Sequence, residues 1–221
     1  MAAITPGSES ILGVGAEDVV ELYTGIKQEL KRVTVEEFLR GTGVAVCAPR
    51  WDDLRFPAQA INPAGAIEAP TVDSDNAAFP GTLLFAGNKD AEIAGIAQMP
   101  HAWSRGTSIR PHIHWSKPVG SASAVSWKFY WRSCGWIGDV AGAWSSAVDG
   151  ILAAGDQTVT NNHLLTTFGE IPMTDLKESA IIAWRLDRLG VTDADNGVAR
   201  LFEFDIHYLA SQLGTITEIP V

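Results

Sequence analysis

The sequence predicts a mainly β protein: an antiparallel β-sandwich of jelly-roll type, preceded by an N-terminal arm and a short helix. Three observations predict it. Segments between Thr82 and Leu209 alternate large apolar with polar residues at a period of two, the mark of strands with one buried face. Turn residues such as Asn196-Gly197 punctuate them. No helical rhythm separates them, which disfavours a parallel βαβ sheet.

Element by element, Met1–Gly15 is small, polar and glycine-rich and reads as a flexible or partner-ordered arm. Val19–Thr24 reads as a short strand. Thr34-Val-Glu-Glu37 is a capping-box pattern, and Gly41 can close what it starts, so Val35–Arg40 is predicted as a short helix. Such a helix needs something to pack against. From Trp51, prolines at 57, 63, 70 and 80 suggest a loop system with one or two short strands. Thr82–Phe85 is an apolar run. Glu92–Met99 sets Ile93, Gly95, Ala97 and Met99 on one face. Ser108–Trp115 sets Ile109, Pro111, Ile113 and Trp115 opposite Arg110, His112 and His114.

Val125–Arg132 is the clearest strand, with Val125, Trp127, Phe129 and Trp131 sharing a face. Ala141–Asp156 is rich in Ala, Gly and Ser and reads as a loop excursion. Ala180–Arg188 groups Ile182, Trp184 and Leu186. Leu201–Leu209 groups Phe202, Phe204, Ile206 and Tyr208 against Glu203, Asp205 and His207. The expected organisation is an attachment segment, 1–50, and a β-sandwich body, 51–221.

The chain has 221 residues, 46% of them apolar, enough for a sizeable core. Its formal net charge of −10 repels phosphate and anionic lipid, so neither nucleic acid nor membrane is an expected partner. No segment approaches the length of a membrane helix, and the start lacks a basic, then apolar, leader pattern. Cys47 and Cys134 make no metal spacing and read as two buried thiols, with a disulfide as the alternative.

Three constellations could carry chemistry. Gly106, five residues, then His112-Ile-His114 matches the opening of the cupin metal motif, because a spacing of two puts both imidazoles on one strand face. The glutamate that motif wants four or five residues later is absent, and His163 and His207 lack the expected surroundings for the later histidine. Two ligands alone hold a metal poorly. The alternative is a polar strand face that makes hydrogen bonds or meets a subunit. Asp193-Ala-Asp-Asn-Gly197 resembles the start of a calcium loop, but its glycine comes one residue early, and a hairpin turn accounts for it more simply. Trp103, Trp115, Trp127, Trp131, Trp136 and Trp144 form an aromatic set. Strand members suit a core; Trp136 and Trp144 lie in loop-like sequence and suit a contact surface, including a glycan-stacking one. No GxSxG, HExxH or Walker pattern occurs, and no catalytic residue is proposed.

The stretch Gln98-Met-Pro-His101-Ala-Trp103-Ser-Arg-Gly106-Thr-Ser-Ile-Arg-Pro111-His112-Ile-His114-Trp115, followed by Val125-Ser-Trp-Lys-Phe-Tyr-Trp131, resembles a group of tailed-bacteriophage virion proteins. Trp51-Asp-Asp-Leu54 and its sequel are similar too. The resemblance implies a non-enzymatic structural protein of jelly-roll type without a cofactor. The role implied is a capsid decoration (cement) protein or a tail-associated accessory, located in the virion. Homotrimeric assembly and contacts with the major capsid protein or tail proteins are implied as well. The interface candidates are Arg110, His112, His114, Trp136 and Trp144; His112 and His114 are also weak metal candidates. A cupin-like metal enzyme and a glycan-binding module are the alternatives.

Overall fold

The computed structural model describes residues 19–24, 29–34, 50–61, 63, 67–74, 79–135 and 140–210. The chain divides into two compact units, Met1–Ala48 and Pro49–Val221. In the first, β1 (Val19–Thr24) pairs antiparallel with β2 (Glu29–Thr34). Thr34, expected to cap a helix, ends β2. The expected arm and the Val35–Arg40 helix lie outside the described residues, as does Cys47.

The second unit carries eleven strands among its described residues: β3 (Arg50–Pro57), β4 (Thr71–Val72), β5 (Leu83–Phe85), β6 (Asp90–Gln98), β7 (Arg110–Ser116), β8 (Trp127–Cys134), β9 (Val148–Asp149), β10 (Ile151–Ala154), β11 (Leu164–Thr167), β12 (Ile181–Leu189) and β13 (Ala199–Ala210). They form two antiparallel sheets. One runs β10-β11-β7-β13-β5-β4, with β3 along the far half of β13; the other runs β6-β12-β8-β9.

The winding is that of a jelly roll. The strands β5, β13, β7 and β11 are neighbours in one sheet, and β6, β12, β8 and β9 in the other. The chain changes sheet at every step from β5 to β8, lays β9 beside β8, crosses into β10, pairs β11 with it, and changes sheet again into β12 and into β13. Gly150 alone separates β9 from β10. A Cβ there would stand 2.7 Å from the Thr166 methyl and 3.1 Å from Trp127 Cβ, so the crossing admits only glycine.

The core fills the space between the sheets. Ile113, Trp115, Leu201, Phe204 and Ile206 come from the larger sheet, and Ile93, Trp127, Phe129, Ile182, Trp184 and Leu186 from the smaller. Their rings interlock: Trp184 lies 4.4 Å from Phe204, and Trp127 lies 5.0 Å from Phe85. The Trp115 indole donates to Thr166 Oγ1 at 2.9 Å, which satisfies its buried N–H. Gly95 faces Trp184 across the β6–β12 ladder. Its missing side chain makes room for that indole, since a Cβ would meet Cζ2 at 2.3 Å.

Several expectations need correction. Arg50–Trp51 onward is a full eight-residue strand, paired along β13 from Ala210 to Glu203; the proline at its end, not a loop throughout, gives that region its irregular look. Ala141–Asp156 contains β9 and β10 and is not one long loop. Phe202 does not share the core face, because a bulge between Leu201 and Glu203 rotates it outward. It packs against Phe79 with centroids 4.9 Å apart. The Asn196-Gly197 turn joins no hairpin, since β12 and β13 belong to different sheets.

Candidate functional site: a histidine cluster on the outer face

The pleat sends Ile113 and Trp115 inward, so it sends Arg110, His112 and His114 to the outer face of the larger sheet. The same rule sends Glu203, Asp205 and His207 outward from β13. The β7–β13 register then sets His112 opposite Asp205 and His114 opposite Glu203. On the other edge, β11 places Leu165 opposite His114, and His163, two residues earlier, reaches the same imidazole. β3 adds Asp53, opposite His207.

Four of the chain's five histidines therefore meet. Asp205 Oδ2 lies 3.4 Å from His112 Nε2 and 3.2 Å from His114 Nε2, and the two Nε2 atoms are 3.2 Å apart. His114 Nδ1 lies 2.7 Å from His163 Nε2. His207 Nε2 lies 2.8 Å from Asp53 Oδ1, and its ring meets His112 edge-on at 4.2 Å. His112 and Asp205 are buried although they are on an outer face; His114 is partly open.

The electrostatics follow from this crowding. Burial opposes ionisation of Asp205, yet the hydrogen bonds and charge of His112 and His114 outweigh it. Its carboxyl is held far below the ordinary carboxylate range. Burial and the neighbouring His114 lower His163. Burial and then His112 lower His207, against the pull of Asp53 and Asp205. A cavity of about 620 Å³ opens beside the cluster, lined by His114, His163, Asp205, Asp53, Arg55 and Phe202 among others. Arg55 is tied bidentately to Glu203 at 2.8 and 2.7 Å on its wall.

His207 from β13 and His163 from the approach to β11 stand against the pair. The acid beside them is Asp205, contributed across the ladder and not by the residues after His114. The His-x-His and Asp-x-His faces lie on separate strands in the sequence, and only strand pairing joins them. Trp51, not among the expected contact residues, stands 44% exposed on this face with the Arg110 guanidinium 4.3 Å from its ring centre. Arg110 is further paired with Glu170, Nε to Oε1 at 2.9 Å.

The remaining candidates disperse. Trp103, Trp115 and Trp127 are core residues. Trp144 is exposed on the outer side of the smaller sheet, beneath Arg132 at 4.8 Å. Trp136 lies outside the described residues. The calcium-like loop is already neutralised by the chain's own cations. Arg188 Nε donates to Asp193 Oδ2 at 3.0 Å, and Lys117 Nζ lies 2.5 Å from Asp195 Oδ2.

No family model and no curated protein matches this chain. Among solved structures, it is similar to the CBM22-1 xylan-binding domain of Xyn10C from Paenibacillus barcinonensis, with a TM-score of 0.39 and 17% identity over 75% of this chain and 99% of that one. A family 35 carbohydrate-binding module from an environmental isolate gives 0.38 and 9% over 72% and 98%. The infectious bursal disease virus Gt strain structure gives 0.34 and 11% over 92% of this chain and 40% of that one. None of these likenesses carries a ligand or an activity over to this chain.

Proposed function

We propose that this chain is a structural protein of a tailed-bacteriophage virion, a capsid decoration protein that strengthens the shell by burying surface against neighbouring subunits. A tail-associated place is the variant of the same reading. The observation that carries it is the use made of the residues that resemble such proteins. Met99, Trp103, Ile109 and Trp115 are buried core residues. The Trp103 indole donates to Thr107 Oγ1 at 3.0 Å, and that hydroxyl donates to the Ser104 carbonyl at 2.6 Å. Gly106 sits at φ 80°, where only glycine is unstrained. Most of the shared stretch therefore builds the β6–β7 connection and the sheet, as expected of a protein whose work is mechanical.

Residues 1–50 would dock onto the particle. A two-stranded ladder such as β1–β2 is marginal in water without a partner, which suits a segment stabilised on binding. The expected state is a homotrimer. Co-sedimentation of purified protein with shells lacking it, and light scattering of the free protein, test the reading. Trimers that bind shells or tails in saturable numbers support it; a monomer that binds neither would sink it.

The exposed Trp51, with the Arg110 guanidinium over its ring, favours a second reading, a glycan-binding surface. Quenching of tryptophan fluorescence by oligosaccharides, lost in Trp51→Ala, would support it.

A further inference from the structure

We propose that His112, His114 and Asp205 form a binding site for one divalent first-row transition-metal ion, with His163 as the outer partner of His114. The three donor atoms stand 3.2, 3.2 and 3.4 Å apart. Three ligands at zinc-like bond lengths in a tetrahedral arrangement stand about 3.3 Å apart. An ion can therefore sit over the triangle without moving a strand.

Two further features point to an ion rather than to a self-sufficient hydrogen-bond cluster. First, both imidazoles have a polar partner near the ring nitrogen that faces away from the triangle. His114 Nδ1 has His163 Nε2 at 2.7 Å, and His112 Nδ1 has the Arg110 carbonyl at a longer 3.5 Å. Those partners fit the tautomers with Nε2 lone pairs turned toward the triangle, as metal-bound histidines require. Second, Asp205 Oδ1 is buried and has no hydrogen-bond partner among the described residues, a costly state that an ion or its bound water would relieve.

The donor set, two imidazoles and a carboxylate, suits zinc, iron, manganese, cobalt or nickel better than calcium or magnesium. Three protein ligands leave a position open. His114 and Asp205 line the 620 Å³ cavity, so the open position is reachable by water or by an oxygen ligand entering beside Arg55. The site stands independently of whether the chain belongs to a virion.

The experiment uses the full chain, stripped with EDTA and titrated with Zn²⁺ by calorimetry. One equivalent per chain is expected. Asp205→Asn and His114→Gln should each weaken binding by more than the roughly 10–100-fold expected for an outer-partner change such as His163→Gln. His101→Gln, whose imidazole bonds Ser179 elsewhere, should leave it unchanged. Because Asp205→Asn could disturb folding, the wild-type chain supplies a second readout. One equivalent of Zn²⁺ should shift the Nε2 resonances of His112 and His114 in imidazole NMR spectra. Absence of saturable one-equivalent uptake would overturn the proposal. So would equal loss in His101→Gln and Asp205→Asn, or Nε2 shifts confined to other histidines.

Discussion

Arg188→Met tests the account of how the sandwich is tied at its β12–β13 end. Arg188 projects from β12 among core residues and is wholly buried. Its guanidinium donates to Asp193 Oδ2 at 3.0 Å, to the Phe85 and Gly197 carbonyls at 2.7 and 2.8 Å, and to the Asp195 carbonyl at 2.8 Å. One side chain thus joins β5 to the crossover between the sheets. Methionine keeps much of the aliphatic volume but strands the fully buried Asp193 carboxylate. Breaking a buried pair from one side costs about 3–5 kcal/mol. For a body of this size that lowers the melting temperature by about 6–20 °C, at about 2–4 °C per kcal/mol. Urea denaturation followed by tryptophan fluorescence reads it directly. Adding Asp193→Asn to Arg188→Met should recover about 1–3 kcal/mol, because most of the penalty is the uncompensated charge. A single variant within about 1 kcal/mol of wild type, or a double variant no better than the single, would refute the reasoning.

Three further outcomes follow. Gly95→Ala should destabilise by about 1–3 kcal/mol or more through collision with the Trp184 ring, whereas Gly106→Ala should lose only about 1 kcal/mol, from backbone strain, because no other described residue comes within 4 Å of its Cβ position; matched denaturation curves compare the two. Asp187 is pushed up to about 6 by burial, with Glu92 adding to the shift and Arg185 opposing it. The folded state therefore holds a proton that the unfolded state has released, so this group's contribution to stability falls as pH rises from about 4 to 6. Asp187→Asn should accordingly gain up to about 3 kcal/mol more at pH 7 than at pH 4, measured by urea melts at both, and equal effects at both would contradict this. Trp103→Phe should unfold about 1–2 kcal/mol more easily, through loss of the indole bond to Thr107.

The body of the fold was legible where strands have one wet face. Trp127 and Phe129 on β8, with the partly buried Trp131 packed against the core, and Ile182, Trp184 and Leu186 on β12, declare their inward side by alternation alone. The misses have physical causes. β3 lies at a sheet edge and carries Trp51, Asp53 and Arg55 outward, so its apolar face is thin and its terminal proline looks like loop. β10 is exposed along its whole length and has no alternation to read. A bulge adds one residue without a mark in the pattern, which misassigned Phe202. The cluster was half legible: His112 and His114 are neighbours by spacing. Asp205, His163 and His207 join them only through the β7–β13 and β11–β7 registers, which a single strand's pattern does not contain.

The most direct test of the structural role is quantitative mass spectrometry of purified phage particles from infected cells that make this chain. The account predicts many copies per particle, retained through density-gradient purification and released when the shell is dissociated. Recovery of the chain only in the soluble lysate, with none in intact particles, would contradict it.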